Sequence, residues 1–462
     1  MRVETVDLLI IGAGPAGMSA AVEATGKGLS VTVLDEQPAP GGQIYRNVQH
    51  ADAAQRAVLG PDYQSGLRLV DAFLASGARY LCGTSVWLID EEKQTHYLRD
   101  GQAYVIKPRR LLIATGAYER PMPVPGWTLP GVMTAGAGQI LIKNAALVPA
   151  QPVLLAGCGP LLYLLAVQYL NAGAKVAALV DTSTTADMLR AWAHVPRALK
   201  GWRDLGKGLA LLNTLRRAGV KHYRGAHSLR VEGQAQAEAL SFVSAEGEQR
   251  IAAPLILLHQ GVVPNTQISW SLRLDHQWND AQLCWQATRD AWGETSLPGV
   301  FIAGDGGAIA GAGAASVQGR LAALAVVHQL QRIDGDQFKR QARPLMKALK
   351  RHLAARPLID AMYRPLAQTR IPADEVIVCR CEEVTAGDVR RYVDLGCQGP
   401  NQTKAFGRCG MGPCQGRLCG LTVTQVIAEQ RNVPVASVGY YRIRPPIKPV
   451  TLGQLASETT LG

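Results

Sequence analysis

The chain has 462 residues, 47% of them hydrophobic and 18% charged, which is enough apolar material for roughly two to four packed domains. This composition excludes a chain that is mainly disordered. The formal net charge is +12, but no aromatic-interleaved basic motif and no zinc-finger spacing accompanies it, so we expect no nucleic-acid partner.

The N-terminal residues predict no targeting segment. Residues 1–14 (MRVETVDLLIIGAG) lack a basic region and a small-residue cleavage site, so we expect a cytoplasmic protein. The longest apolar run, at 153–169, approaches the length of a membrane span but contains Gly157, Gly159 and Pro160. We interpret it as a strand, a turn and a helix, and predict no membrane span.

The first predicted unit is a strand, a glycine turn, a helix and a second strand. An apolar run at 7–11 ends in Gly-Ala-Gly-Pro-Ala-Gly, and another at 31–34 ends in two acids. In such a unit the first glycine permits a tight turn, the second admits a pyrophosphate, and the third packs helix on strand. An acid about 20 residues further on binds a ribose, and a gap-free count favours Asp35 over Glu36. The candidate residues are Gly12, Gly14, Pro15, Ala16, Gly17, Asp35 and Glu36.

Two later stretches have a related pattern. Residues 111–116 (LLIATG) and 299–305 (GVFIAGD) are apolar strands that end in small turns, and a Gly/Ala-rich helix follows the second. With the first unit and the glycines at 41–42, they resemble the two-dinucleotide flavoproteins of the glutathione/thioredoxin reductase superfamily. The resemblance implies FAD in the first site, with Asp305 on the ribityl chain and a helix N-terminus facing the flavin, where it stabilises the anionic reduced ring. It adds the candidates Gly42, Gln43, Thr115, Gly116, Gly304 and Asp305.

A second strand–turn–helix unit begins at residue 153 and is less regular. Its turn is Gly157-Cys158-Gly159, and Leu162 replaces the third glycine, which separates the helix from the strand. Asp181, at the end of the returning strand, still suits a ribose hydroxyl. We therefore expect a degenerate nucleotide-binding domain, with an adenine nucleotide, NAD(P) or an empty site as open alternatives.

The sequence shows no catalytic constellation, so the catalytic residues stay unknown. No redox-active cysteine pair follows the 41–42 glycines, which argues against disulfide reductase chemistry. We interpret His222, His227 and His259 as bystanders among apolar or loop residues.

Six of the nine cysteines lie between residues 379 and 419, which points to a metal centre rather than to disulfides. Four thiolates suit a [2Fe–2S] cluster or zinc, and Cys-x-Cys is a poor zinc knuckle. Residues 378–385 (VCRCEEVT) and 410–419 (GMGPCQGRLC) resemble the bacterioferritin-associated-ferredoxin-like [2Fe–2S] domain. The resemblance assigns the ligands Cys379, Cys381, Cys414 and Cys419. Cys409 has the same spacing to Cys414 and is the second choice, and zinc is the alternative metal.

The expected fold class is α/β, with two Rossmann-like dinucleotide-binding domains of the glutathione/thioredoxin reductase type and a small helical [2Fe–2S] domain. Residues 442–449 (RIRPPIKP) exclude a regular helix or a central strand, which predicts an extended tail. Between 339 and 370 nine basic residues face one acid, Asp360, which favours a solvated linker, with a docking surface for an acidic partner as the alternative. The predicted segments are 1–120 with 285–330 for FAD, 121–284 for the second domain, 331–370 for the basic linker, 371–440 for [2Fe–2S] and 441–462 for the tail.

This combination, together with residues 35–46 (DEQPAPGGQIYR), resembles the FAD/[2Fe–2S] α-type subunits of opine oxidases, cyanide synthase, and proline, hydroxyproline and sarcosine dehydrogenases. The resemblance implies an electron-relay subunit of a heteromeric amino-acid or opine dehydrogenase, beside a D-amino-acid-oxidase-like flavoprotein subunit that oxidises the substrate. A small third subunit and peripheral contact with a respiratory acceptor stay open. The alternatives are a self-contained NAD(P)H-dependent iron–sulfur reductase and a redox-inert assembly subunit.

Overall fold

The computed structural model of the protein describes residues 4–457 and 459–460. Residues 1–3 of the first predicted domain and residues 458, 461 and 462 of the predicted tail lie outside this range. None of the described helices combines the length and apolar character that crossing a bilayer requires, in agreement with the sequence.

The strands follow one another along the whole described chain. The first eleven are β1 Glu4–Ile11, β2 Val31–Leu34, β3 Arg79–Leu81, β4 Ser85–Ile89, β5 Thr95–Arg99, β6 Gln102–Ile113, β7 Ala117–Glu119, β8 Val132–Thr134, β9 Val153–Cys158, β10 Val176–Asp181 and β11 His222–Tyr223. The others are β12 His227–Glu232, β13 Ala239–Ser244, β14 Gly247–Ala252, β15 Leu255–Gln260, β16 Val262–Pro264, β17 His276–Asn279, β18 Cys284–Ala287, β19 Val300–Ile302, β20 Ile377–Cys379, β21 Val384–Thr385 and β22 Thr459–Thr460.

The helices alternate with these strands in the first two thirds of the chain. They begin with α1 Pro15–Thr25, α2 Ala53–Leu59, α3 Pro61–Gln64, α4 Gly66–Leu74, α5 Ala135–Ala145, α6 Pro160–Asn171, α7 Thr185–Trp192, α8 Val195–Ala198, α9 Trp202–Arg217 and α10 Gln267–Ser271. They continue with α11 Ala312–Gln329, α12 Gly335–His352, α13 Arg356–Met362, α14 Ala367–Arg370, α15 Ala386–Asp394, α16 Pro400–Gly407, α17 Gly420–Gln430, α18 Val435–Val438 and α19 Leu452–Ala456, with 3₁₀ turns at Leu199–Gly201 and Gly304–Gly306.

The first sheet has the order β3-β2-β1-β6-β5-β4, and both β19 and β22 also pair with β6. Strand β1 runs parallel to β2 and β6, with Leu9 opposite Thr32 and Leu111. Strands β4 and β5 extend the sheet in antiparallel register. Strand β19 runs parallel to β6 although some two hundred residues separate them. The sheet is therefore built from two distant parts of the chain.

The second sheet is parallel, with the order β11-β10-β9-β15-β8. All six residues of β9 are buried, as expected of a central strand covered on both faces. An antiparallel meander of β12, β13 and β14 adjoins this unit and shares its core through Leu229, Leu240 and Phe242.

Strands β7 and β16 form an antiparallel pair where the chain passes between the two units. Beyond this pair, Ile268, Leu274 and Trp285 pack in the same core as Leu9 of the first sheet. The chain therefore returns to the first unit soon after residue 264, earlier than the boundary expected at 285. The sequence could not place this return, because α10 and the β17–β18 hairpin carry no nucleotide-binding signature.

The segment expected to be a basic linker, 331–370, is mostly helical and packed. Helix α12 begins with a capping box between Asp334 and Gln337. It buries Phe338, Ala342 and Leu345, which lie on one face at helical spacing, and turns its basic side to solvent. A packed helix therefore occupies much of the segment predicted to be a linker. The sequence did not reveal this helix because its apolar stripe is short and lies among basic residues.

The cysteine-rich region combines the small β20–β21 ribbon with helices α15 to α18. The tail at 441–451 contains no helix or strand and lies along the first unit, where the N–H of Ile447 donates to the carbonyl of Trp87 at 2.9 Å. Helix α19 follows, and β22 then pairs with β6. The expected extended tail thus includes one short helix.

Candidate cofactor sites

Two glycines of the first turn, Gly12 and Gly17, leave no room for a side chain. A methyl group on Gly17 would lie 1.9 Å from the carbonyl oxygen of Gly12, and one on Gly12 would lie 2.5 Å from that of Ala114. Gly12 also has a φ of +106°, which favours glycine. Helix α1 begins at Pro15, so its free N–H groups face the space above the turn, where an anion is stabilised.

The two candidate acids at the end of β2 occupy different environments. The Asp35 carboxylate is buried and accepts from the N–H groups of Ala13 at 2.5 Å and Gln37 at 2.7 Å. Burial nevertheless raises the pKa of Asp35. Glu36 is exposed and pairs with Lys448 at 2.7 Å. The structure therefore brings Asp35, and not Glu36, to the glycine turn.

The loop at 41–43 packs directly on this turn. The N–H of Gly41 donates to the carbonyl of Ala13 at 2.9 Å, and a methyl group on Gly42 would lie 2.8 Å from the Cα of Gly14. The side-chain amide oxygen of Gln43 accepts from Arg46 at 3.2 Å. The buried Nε of Arg46 has no hydrogen-bond partner among residues 4–457. A helix N-terminus, close backbone and an unpaired guanidinium N–H fit a pyrophosphate.

The Asp305 carboxylate organises the start of α11. Its Oδ1 accepts from the N–H groups of Ala310 at 2.8 Å and Gly311 at 2.9 Å, immediately before the helix. The preceding Gly304 contacts α1, because a methyl group there would lie 3.0 Å from the Cβ of Ala16. The candidate residues that follow β1, β2 and β19 thus meet at the carboxyl ends of these parallel strands. This is the place at which open α/β sheets bind ligands.

The 115–116 turn lies against the 304–306 turn. A methyl group on Gly306 would lie 3.4 Å from the N of Gly116 and 3.5 Å from Oγ1 of Thr115. The Thr115 hydroxyl donates to the carbonyl of Asn265 at 3.3 Å, and the N–H of Asn265 donates to the carbonyl of Gly116 at 2.9 Å. All three stretches that predicted a flavin site therefore converge.

Lys143 on α5 is a site residue that the sequence analysis missed. Its ammonium donates to the carbonyl of Gln43 and to the side-chain oxygen of Gln139, both at 2.9 Å, and the residue is 3% exposed. Burial, with a smaller contribution from the charge of Arg46, lowers the pKa of Lys143 to about 7. No sequence signal marks it, because α5 follows neither glycine motif.

This environment makes the stability of the flavin-free protein depend on pH. Unfolded lysine keeps its proton up to a pKa of about 10.4, whereas folded Lys143 loses it near neutrality, so the unfolded state binds more protons between these values. The free energy of unfolding should therefore rise with pH relative to Lys143→Met, by about 2 kcal/mol between pH 7 and pH 9. Urea unfolding at both pH values measures this change. Parallel pH profiles for the two proteins would contradict the assigned environment, and the exposed Lys347→Met is the control.

The second glycine turn is covered by the protein itself. Leu162, which stands in place of the third glycine, is fully buried. The thiol of Cys158 contacts the carbonyl of Tyr363 at 3.6 Å, so the segment after α13 lies over the turn. The space in which a pyrophosphate would lie is therefore bordered by the chain's own backbone.

Asp181, the candidate ribose acid of the second unit, already has partners. Its carboxylate accepts from the Ser183 N–H at 2.8 Å and from the Tyr163 hydroxyl, and His222 Nε2 lies at 3.3 Å. Although burial acts to raise it, the hydrogen bonds from His222 and Tyr163 hold the pKa of Asp181 below its ordinary value. A ribose would have to displace these groups, which disfavours NAD(P).

His259, interpreted from the sequence as a bystander, is buried and pairs with the partly buried Glu119. Its Nδ1 lies 2.5 Å from one carboxylate oxygen, and the other oxygen accepts from the Gly136 N–H at 2.8 Å. The pair lies at the crossing between the two units, beside Gly159. The two residues are 140 positions apart, so no local pattern could have paired them.

Five of the six cysteines of the C-terminal region form two neighbouring groups. The Sγ atoms of Cys379, Cys409 and Cys419 are buried and lie within 4.8 Å of one another. Hydrogen bonds from Cys409 and then Cys419 lower the pKa of Cys379 to about 2. Cys381 is exposed and interacts with the half-buried Cys414. Of the four predicted ligands, two lie in each group, and Cys409 joins the inner one.

The surroundings of these thiols fit a thiolate-held cluster. A methyl group on Gly412 would lie 2.3 Å from the Cβ of Cys381, and methyl groups on Gly410 and Gly416 would lie 2.5 Å and 2.7 Å from the ring of Tyr441. The loop thus packs closely against Cys381 and Tyr441. In the part of the chain that the structure describes, the buried group consists of thiols and contains no imidazole or carboxylate. Soft thiol ligands of this kind suit an iron–sulfur cluster or zinc.

A short connection joins the thiol loop to the first unit. The side-chain amide of Gln267 donates to the carbonyl of Gln415 at 3.0 Å. Two residues before it, Asn265 is bonded to the 115–116 turn. Trp270 of α10 stacks on Tyr440, with ring centroids 5.5 Å apart. The candidate flavin and cluster sites are therefore neighbours, held together by residues 265–270.

Two glycine-turn units, each built on parallel strands, place the chain in the two-dinucleotide class of folds, and comparison with known proteins agrees. Residues 6–319 match the pyridine nucleotide-disulphide oxidoreductase family, and residues 374–459 match the sarcosine oxidase A3 domain. An opine oxidase subunit of Agrobacterium tumefaciens (strain Ach5) is 46% identical over 97% of this chain and 91% of its own. Hydrogen cyanide synthase subunit HcnB of Pseudomonas protegens is 31% identical over 96% of both chains. The chain belongs to the family that contains these proteins, as the sequence predicts.

Solved structures confirm the fold class. L-Proline dehydrogenase from P. horikoshii superimposes with a TM-score of 0.69 at 18% identity and covers 98% of this chain and 80% of that one. Thioredoxin reductase from T. acidophilum gives a TM-score of 0.50 at 18% identity, over 70% of this chain and 98% of its own. At these identities the likeness shows the fold alone.

Proposed function

We propose that this chain is the electron-relay subunit of a heteromeric amino-acid or opine dehydrogenase. The observation that carries the proposal is the close connection, through residues 265–270, of a dinucleotide site and a thiolate centre on one chain. Its relatives are named as subunits, of opine oxidase and hydrogen cyanide synthase, which supports a separate partner that holds the substrate. That partner is a flavoprotein of the D-amino-acid-oxidase type, and it oxidises the C–N bond.

The residues of the first site would hold FAD. The turn at 12–17 and Arg46 would bind the pyrophosphate, Asp35 would act on the ribose side, and Asp305 with the start of α11 would orient the ring end. The thiols of Cys379, Cys381, Cys414 and Cys419 would hold a [2Fe–2S] cluster, which leaves Cys409 as an additional thiol. When bound, these groups supply the conversion between two-electron and one-electron transfer.

A self-contained NAD(P)H-dependent reductase is the second candidate, and the intact fold of the second unit is what favours it. Three features of the second unit weigh against it. The Asp181 carboxylate already accepts hydrogen bonds, Leu162 is buried, and the Tyr363 carbonyl lies over the second turn. Among an adenine nucleotide, NAD(P) and an empty site, these contacts favour an empty site in the second unit.

The test compares electron donors under anaerobic conditions. We expect an amine or opine substrate to bleach the flavin and cluster absorbance of the complex with its flavoprotein partner. NADH and NADPH should leave the absorbance of the same complex unchanged, because no free ribose acceptor is available at Asp181. Rapid bleaching by NADH would favour the reductase instead, and a colourless purified chain would favour the inert assembly role.

A further inference from the structure

A groove opens beside the outer thiol group. It has a volume of about 460 Å³ and runs between the loop at 408–415 and the tail at 444–449. Its lining includes Gly412, which lies directly against Cys381. Apolar surface is available there, because Met411 is 43% exposed and several prolines of the tail line the opposite wall. The groove therefore adjoins the two thiols of the site that lie nearest to solvent.

Positive charge exceeds negative charge around this groove. Arg444 lines it, and Arg442 lies two residues before in the exposed tail. The Lys404 ammonium lies 5.1 Å from the centre of the Tyr441 ring, next to Arg442 in the chain. Arg273 donates to the carbonyl of Trp270, whose ring stacks on Tyr440, so both cations lie beside the start of the tail. Burial, with repulsion from the tail arginines, also lowers the pKa of both. Within residues 4–457, neither Arg442 nor Arg444 has a carboxylate partner.

The acids that lie at the groove are already paired. Glu382, which lines it, accepts from Arg408 at 3.0 Å. Glu36 binds Lys448 at 2.7 Å. The remaining uncompensated charge is therefore positive, and its natural complement is an acidic surface. Since electron transfer weakens steeply with distance, a protein that exchanges electrons with the thiol centre must approach its exposed side.

We propose that this groove, with the basic group Arg273, Lys404, Arg442 and Arg444 beside it, is the surface on which the substrate-oxidising flavoprotein subunit docks through an acidic segment. The inference rests on the proposed function and adds to it the place and the chemistry of the contact. Acidic residues in place of these cations would repel the acidic segment of the partner and reduce the affinity of the complex.

The experiment uses the complex of this chain with its co-expressed flavoprotein partner. R442E/R444E reverses two charges at the groove, and K347E/R351E reverses two exposed charges on α12 as the matched control. The dissociation constant of each complex is measured at physiological ionic strength, with the flavin and cluster absorbance recorded as a check that the site is intact. We expect R442E/R444E to weaken the complex ~100-fold or more and the control to change it less than about twofold.

The possible outcomes distinguish a failure of the docking surface from a failure of the proposed function. Wild-type affinity in R442E/R444E, or equal losses in both variants, would overturn the docking surface and leave the relay function standing. A wild-type chain that carries no partner at all would overturn the proposed function and the docking surface with it. If R442E/R444E fails to retain its absorbance, R442Q/R444Q takes its place, with an intermediate loss expected and an unchanged affinity counting against the proposal.

Discussion

Replacing Cys414 by serine should remove the iron–sulfur absorbance of the purified protein, whereas replacing Cys409 should leave it. The four-thiolate set that we propose includes Cys414, which interacts with Cys381 on the outer side of the site. A serine hydroxyl is a poor substitute for a soft thiolate, so the iron content of Cys414→Ser should fall ~10-fold or more. Iron analysis and visible spectra of anaerobically purified protein measure the effect.

The comparison of Cys414 with Cys409 decides which thiols are cluster ligands, because the structure places both of them at the site. Cys409 lies with Cys379 and Cys419 in the buried group, and its thiol accepts from the Tyr441 hydroxyl at 3.3 Å. Loss of iron in Cys409→Ser with retention in Cys414→Ser would reverse the assignment. Cys397→Ser, at a buried thiol outside both groups, is the control and should keep its iron.

Gly17→Ala should abolish tight flavin binding and lower the free energy of unfolding by about 1–3 kcal/mol. The added methyl group would lie 1.9 Å from the Gly12 carbonyl, so the glycine turn and α1 must separate. This displacement moves the N–H groups at the start of α1 away from the pyrophosphate position. Flavin content after gel filtration and urea unfolding measure the two effects.

Gly206→Ala provides the matched control for Gly17→Ala. It makes the same substitution in α9, where nothing lies within 4 Å of the added methyl group. Alanine is favoured over glycine inside helices by about 1 kcal/mol, so this variant should be as stable as the wild type or more stable, with full flavin content. Equal behaviour of the two variants would show that the contact at Gly17 has no special role.

The structure brings the residues predicted for the first site together because the constraints on them are local. Gly12 and Gly17 are required by contacts within a few residues or with the adjacent strand, and Asp305 caps the turn that immediately follows it. Such features leave a motif of fixed spacing. The family and the fold class followed from these motifs and are confirmed by the comparisons.

The features that the sequence analysis missed depend on contacts between distant segments. Lys143 reaches Gln43 from α5, and Glu119 meets His259 across the crossing of the two units. The Tyr363 carbonyl covers Cys158 from a segment expected to be a linker. Each contact is set by the packing of helices and by the return of the chain, which hydrophobic periodicity alone does not specify.

Electron paramagnetic resonance shows whether a [2Fe–2S] cluster and a flavin share this chain. Protein prepared anaerobically and reduced with dithionite should show the signal of a reduced [2Fe–2S] cluster, with two irons and one FAD for each chain. Zinc in place of iron, or a reduced sample without any paramagnetic cluster signal, would show that this chain is not an iron–sulfur flavoprotein.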